Sequence, residues 1–466
     1  MPRPIHTVQS IRQIEERSAA AQPPLMERAG AAAAALAATL AGDHGKDVLV
    51  LAGPGNNGGD ARVVARLLKE RFYRVVVASR AAEIPVGVRW ALVVDGLFGI
   101  GLARPIEGAA AELVAFANAQ SCPVLALDIP SGLHADTGEA LGPVVRATHT
   151  VTFIALKPGL LTLDGPDHCG EIRVEDLGLT QDVDASAEGW IAEPALFPNT
   201  LRRRPGKFHK GMAGSVGVLG GAAGMTGAAL LAARAALKLG AGRVYGGLLS
   251  PLAVDPGAPE LMLRHADDIL GLDLDAVVVG PGLGTSAHAE TLLGAVLASE
   301  LPCVLDADAL NLMADNPDLR AACARRAPDT LLTPHPAEAA RLLSRETSQV
   351  QADRLGAARR LAADFRSHVV LKGNGSVLVA RDGHWFINTS GNPGMASAGM
   401  GDVLAGLLGA LLAQRYTGET ALVLGTHLHG CAADAAVGAG AGPVGLSAGD
   451  LIDPARRLWN GWLARP

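Results

Sequence analysis

The stretch 48-VLVLAGPGNNGGDARVVARLLKERF-72 passes from an apolar run, through a glycine-rich turn, into a segment with helical spacing. An unbroken run of valine and leucine suits a strand buried on both faces, and the spacing from Arg62 to Phe72 suits a helix packed back on it. Glycines between the two let backbone N–H groups approach an anion at the positive end of the helix. A tight strand-to-helix turn explains them as well. The spacing is neither the dinucleotide GxGxxG nor a phosphate loop ending in GK[ST].

Working outward, 74-RVVVAS-79, 91-ALVVDGLFG-99, 123-PVLALDIPSG-132 and 149-HTVTFIA-155 read as strands, with 108-GAAAELVAFANA-119 a helix among them. Such alternation predicts a parallel, doubly wound α/β sheet with right-handed crossovers. Ligands of such sheets gather beyond the carboxyl ends of the strands. Near 192-AEPALFPNTLRRRPGKFHKG-211 the periodicity stops, and 202-RRR-204 reads as a solvated linker. The alternation then resumes with strands at 214-GSVGVLGG-221, 276-AVVVGPG-282, 303-CVLDAD-308, 329-DTLLTP-334 and 368-HVVLKG-373. Helices are expected at 226-TGAALLAARAALKLGAG-242 and 402-DVLAGLLGALLAQR-415. The chain has 466 residues, and at about 150 residues per domain the prior is two or three; the reading is two α/β domains, 1–200 and 205–466.

Composition narrows the function. A formal charge of −6 gives no general attraction to nucleic acid, and no basic stripe with interleaved aromatics occurs. The apolar run 31-AAAAALAATLA-41 is too short and alanine-rich to cross a bilayer. The five cysteines stand far apart with no CxxC pair, which indicates neither a zinc site nor a disulfide framework and fits a cytoplasmic protein. His427 and His429 lie two residues apart on an expected helix, so they face different ways and do not suggest a metal site.

Two aspartates, Asp95 in 95-DGLFGIGL-102 and Asp128 in 128-DIPSGLHADTG-138, close apolar strands. A carboxylate there is costly unless paired, metal-bound or catalytic. In 391-GNPGMASAGMGDVLAG-406 a glycine loop joins a helix that starts near Asp402. Gly399 and Gly401 leave N–H groups free at its positive end, the arrangement of an anion hole for a transferring phosphoryl group. Asp402 in the first turn is placed to deprotonate a hydroxyl, although many first-turn aspartates only favour the helix dipole.

Together with 25-LMERAG-30 and 153-FIALKPGL-160, the motifs of the first half closely resemble the NAD(P)H-hydrate epimerase family, over roughly the first 200 residues. The resemblance implies a Rossmann-like fold and a potassium ion held by Asn57, Asp95 and Ser131. It implies substrate contacts at Asn56, Asn57, Gly58, Gly59, Asp60, Gly99, Ile100, Gly101, Leu102, Ala103, Arg104, Pro105 and Asp128, with Asp128 also catalytic. The chain departs from the family at Ala61, where glycine is usual.

In the second half, 280-GPGLG-284, 306-DADALN-311, 333-TPHPAE-338, 371-LKGNGS-376 and the GMGD loop resemble the ribokinase-like fold. The closest likeness is to its ADP/ATP-dependent NAD(P)H-hydrate dehydratase family, from about Phe208 to Leu463. By that resemblance Asp402 is the catalytic base, and Gly401 lies in the anion hole near the nucleotide. Lys372, Gly373, Asn374, Gly375 and Ser376 cradle the nucleotide, while Ala228, Gly284, His335 and Asp402 hold the hydrate. A satisfied loop histidine is the plainer reading of His335. Mg2+ is expected with ADP or ATP as co-substrate, and fused bacterial members usually favour ADP. The departures here are at 395-MASAGMGD-402 and at Met212.

The two resemblances imply one repair enzyme, expected to be a homo-oligomer acting on hydrated NADH and NADPH with an adenine nucleotide. It would interconvert R and S epimers and dehydrate the S form through a phosphorylated intermediate. The rival readings are a vitamin or sugar kinase of the same superfamily, and a non-catalytic first half serving as a binding or oligomerisation module. The attached first domain argues against the kinase; Asp95 and Asp128 argue against the module, and Ala61 mildly favours it.

Overall fold

The computed structural model describes residues 2–201 and 203–464, so Arg202 of the linker lies outside the described residues. The chain divides into two compact units, Arg3–Trp190 and the part from Ile191 onward.

In the first unit the strands are β1 (Pro4–Ile5), β2 (Asp47–Ala52), β3 (Arg74–Ala78), β4 (Leu92–Gly96), β5 (Val124–Leu127), β6 (His149–Phe153) and β7 (Glu171–Glu175), and β8 (Gly189–Ile191) falls at the boundary. Six of them form a sheet in the order β3-β2-β4-β5-β6-β7, parallel throughout. Val48, Val50 and Ala52 join Ile14, Ala33, Val64 and Leu68 in a core on one face. Leu49 and Leu51 join Val93, Leu113 and Val114 on the other. Burial on both faces is why these strands read as continuous apolar runs.

The first crossover helix, Asn56–Glu70, begins inside the glycine stretch rather than after it. Gly58 and Gly59 are helical packing positions. A Cβ on Gly58 would lie 1.9 Å from the Gly53 carbonyl oxygen, and one on Gly59 would lie 2.6 Å from Met26 Cε. Ala61 sits within this helix, fully buried. Its methyl occupies space that Gly96 leaves open, since a Cβ on Gly96 would come within 2.5 Å of it. The backbone therefore accepts alanine there.

The second unit contains β9 (Ser215–Gly220), β10 (Arg243–Leu248), β11 (Met262–His265), β12 (Ala276–Val279), β13 (Cys303–Leu305), β14 (Thr330–Leu332), β15 (His368–Leu371), β16 (Ser376–Val379) and β17 (Trp385–Asn388). Their order is β17-β16-β15-β14-β13-β12-β9-β10-β11. Pairing is parallel from β15 to β11, whereas β16 and β17 run antiparallel, a pair of strands the sequence pattern did not reveal. The helix Met400–Ala413 is buried almost throughout. Glycines bring it close to its neighbours: a Cβ on Gly406 would lie 2.1 Å from the Ala232 carbonyl oxygen of the helix Thr226–Lys238, and one on Gly409 would lie 2.3 Å from Val278 Cγ2.

The basic linker is more than solvated charge. Arg204 donates to the Gly240 carbonyl (2.8 Å) and to Gln414 Oε1 (2.6 Å), and its guanidinium stacks 4.5 Å from the Phe208 ring centroid. Among the described residues no helix is long and apolar enough to cross a membrane.

Candidate active sites

A cavity of about 700 Å3 in the first unit is lined by the segments that follow β2, β4 and β5. Asn56, Asn57, Asp60, Gly99, Ile100, Gly101, Leu102, Ala103, Arg104 and Asp128 all line it. Gly58, Gly59 and Pro105 lie outside this wall, the two glycines because the helix turns them toward Gly53 and Met26. Arg12 and Glu15 of the helix Val8–Arg17, together with Lys157, complete the polar lining.

Beside the cavity, Asn57, Asp95 and Ser131 come together. Asp95 is fully buried, and its donors are all neutral: the Ser131 hydroxyl (2.7 Å), the Ser131 amide (2.8 Å) and the Leu97 amide (3.2 Å). Burial raises the Asp95 pKa, with the Ser131 and Leu97 hydrogen bonds opposing it. Asn57 donates to the Phe98 carbonyl at 2.9 Å, while its own Oδ1 is buried without a partner. A carboxylate lacking a counter-charge next to an orphaned amide oxygen fits a hard cation with oxygen ligands.

Asp128 adopts left-handed backbone geometry, φ 66°, which turns its carboxylate back on Lys157. The lysine is fully buried and donates to Asp128, to Thr152 Oγ1 (2.8 Å) and to the Phe153 carbonyl (2.8 Å). Across the same cavity, burial and then the charges of Asp128 and Glu15 push the Asp60 pKa up to about 8. Glu15 is raised in turn by burial and by Asp128. The cavity thus holds an ionic pair beside a carboxyl that keeps its proton at neutral pH.

In the second unit Gly399, at φ 88°, caps the helix Met400–Ala413, whose first turn carries Gly401 and Asp402. Burial and then Asp306 lift the Asp402 pKa to about 6, against the pull of Lys372. The Lys372 ammonium turns inward onto Asp306 at 2.9 Å, while Gly373 (φ 146°) and Gly375 (φ 62°) shape the loop beyond it. Asn374 and Ser376 belong to that loop, where Ser376 Oγ accepts from the Gly373 amide at 3.2 Å. Gly284 donates its amide to Asp308 Oδ2 at 2.8 Å. Ala228 abuts the same loop, since a Cβ on Gly282 would come within 3.3 Å of it.

His335 acts as a helix cap: its Nδ1 accepts from the amides of Ala337 and Glu338, both at 3.2 Å, and Glu338 Oε2 accepts from the His335 amide at 2.8 Å. Its imidazole remains half exposed. His427 stacks on Trp462. His429 is instead buried with Nε2 unpartnered.

Sequence reasoning missed Lys157, Glu15 and Asp306 as site residues. Lys157 carried a signal, a single cation inside the otherwise apolar 153-FIALKPGLL-161, whereas Glu15 looks like any charge on an amphipathic helix.

The family model described as NAD(P)H-hydrate dehydratase matches residues 216–453, and the YjeF-related protein N-terminus matches 22–86 and 79–159. A bifunctional NAD(P)H-hydrate repair enzyme of Coxiella burnetii is 38% identical, covering 97% of this chain and 98% of the relative. The Escherichia coli protein of that name is also 38% identical, over 94% of this chain and 89% of its own length. Among solved structures, the ADP/ATP-dependent NAD(P)H-hydrate dehydratase of Bacillus subtilis, co-crystallised with ATP and Mg2+, superposes with a TM-score of 0.52 at 29% identity. That match covers 58% of this chain and 98% of the other. On full-length likeness at this level, the chain belongs to the family of bifunctional NAD(P)H-hydrate repair enzymes.

Proposed function

We propose that the first site interconverts the R and S epimers of hydrated NADH and NADPH, and that the second dehydrates the S epimer at the expense of ADP or ATP. The observation that carries this reading is Asp402, half-buried in the first turn of a helix behind Gly399 and Gly401, with a pKa of about 6 that suits a base at neutral pH. In the second site Asp402 takes the proton of the hydrate's hydroxyl as its oxygen attacks the nucleotide's terminal phosphorus. Free N–H groups of the first turn receive the charge on the transferring group. Ring nitrogen then expels phosphate, and loss of a ring proton restores the double bond.

Epimerisation at the same carbon needs the hydroxyl to leave as water and water to return on the other face. Asp60, holding its proton, fits the donor; Asp128, ion-paired with Lys157, fits the base that receives the proton from returning water. Asn57, Asp95 and Ser131 would hold potassium, which when bound supplies positive charge beside the substrate. Magnesium enters with the nucleotide. Ala228, Gly284 and His335 line the approach proposed for the hydrate, and Lys372 with the 373–376 loop that of the nucleotide. A cytoplasmic location is inferred, in keeping with cysteines that are all free.

Incubating the whole protein with mixed NADPH hydrates and MgADP or MgATP tests the reading. Complete return of NADPH absorbance is expected. Return that stops when the S epimer is spent would mean the first unit does not epimerise.

A further inference from the structure

Asp306 follows the end of β13 and is almost fully buried, at 1% exposure. One of its oxygens, Oδ1, accepts from Thr333 Oγ1 at 2.7 Å and from Lys372 Nζ at 2.9 Å. The pair reaches the catalytic helix. A Cβ built on Gly401 would lie 3.1 Å from Lys372 Nζ and 3.3 Å from Asp306 Oδ2. The ammonium therefore sits against the first helical turn, where amides lack intrahelical partners and favour negative charge. A lysine side chain left to itself is mobile, and fixing it costs rotamer entropy. Asp306, itself locked by Thr333, supplies the anchor.

We propose that Asp306 is a positioning residue for phosphoryl transfer: it holds the Lys372 ammonium beside the Gly401 turn, where the oxygens of the phosphoryl group in transit gather. The proposal rests on the dehydratase reading above. In that step the hydrate's oxygen forms a bond to the terminal phosphorus and the bond to the nucleotide's bridging oxygen breaks. The leaving nucleotide keeps the electron pair, and Asp402 takes the hydroxyl proton. Asp306 takes no proton and touches no reacting atom.

Charged groups around the pair give the proposal a specific signature. Asp402 is faced by Asp306 and Asp308 from the chain after β13 and by Lys372 from the end of β15. Lys372 is faced by Asp306, Glu338 and Asp402, and it lies close enough to His429 to lower that ring's pKa after burial has done so. The two partners act on Asp402 in opposite senses, Asp306 raising its pKa and Lys372 lowering it.

The test compares wild type, Asp306→Asn and Lys372→Met with pure S hydrate and MgADP, measuring kcat and KM across pH. Epimerase rate and thermal unfolding serve as controls for folding. Misplacing a catalytic charge by about 1 Å costs roughly 10²-fold, so Asp306→Asn should lose kcat on that scale with KM for ADP little changed. The acid limb of kcat should move to lower pH in Asp306→Asn and to higher pH in Lys372→Met. An active wild type with an Asp306→Asn whose kcat and acid limb are unmoved overturns the proposal alone. A wild type inert toward S hydrate overturns the dehydratase reading and the proposal with it. Should Asp306→Asn fail to fold, Thr333→Val loosens the same carboxylate and must lower kcat with epimerase intact; wild-type kcat in that variant overturns the proposal.

Discussion

The ammonium of Lys157 is seated on the carboxylate of Asp128, with side-chain exposures of 1% and 14%. Removing one member of a buried pair typically costs about 3–5 kcal/mol, because the other is left uncompensated. Lys157→Met should therefore destabilise the first unit on that scale and stop epimerisation. The double variant Lys157→Met/Asp128→Asn should regain much of the stability without regaining activity. Denaturant unfolding and epimer exchange measured on the same preparations check both expectations.

Asp95 is the only charged member of the Asn57–Asp95–Ser131 group. Asp95→Ala should abolish epimerisation and its dependence on potassium, while dehydration of pure S hydrate continues. If a well-folded variant lost both activities together, the two sites would not be independent.

Asp60 gives a pH signature. Its pKa stands at about 8 in the folded chain, against an ordinary carboxyl value of 3.8. The folded state therefore holds a proton that the unfolded state gives up between those two values. The favourable contribution is complete below the lower value and is lost as pH rises through about 8. Asp60→Asn should be stabilised relative to wild type more at alkaline than at acid pH, as read by thermal melts. The epimerase rate of the wild type should decline as pH passes the same point, because the proton donor ionises.

Asp402→Asn keeps size and hydrogen bonding but cannot accept the hydroxyl proton. Loss of a general base costs about 10²- to 10⁴-fold, so NADPH regeneration should nearly stop while nucleotide binding and epimerisation persist. Regeneration within a few-fold of wild type would reduce Asp402 to a residue that favours the helix dipole.

Where burial is two-sided, the strands were legible: β4, β12 and β15 fall within apolar runs marked from the sequence, and β2 exceeds its run by Asp47 alone. The antiparallel β16 and β17 were not, because Ser376–Val379 and Trp385–Asn388 follow β15 with no helix between them and so fall outside the strand–helix alternation. Glycine misled at Gly58 and Gly59. Turn glycines and packing glycines are alike in sequence, and only the nearness of Gly53 and Met26 tells them apart. Asp95 and Asp128 were legible because a carboxylate closing an apolar strand stands out. Asp306, in the similar 303-CVLDAD-308, was seen as part of a motif, but its role depends on Lys372, which lies 66 residues away in sequence.

The absence of side chains at Gly406 and Gly409 has a mechanical consequence. With Gly406 against Ala232, no side chain of the Asp402 helix stands between its backbone and the helix Thr226–Lys238 at that point, and Gly409 seats the same helix on Val278 of β12. Base and substrate wall are thereby machined as one block. Attempts to widen the second site for bulkier hydrates by shifting either helix would drag the other along, so altered substrate range in this scaffold has to come from the loops at 281–284 and 373–376.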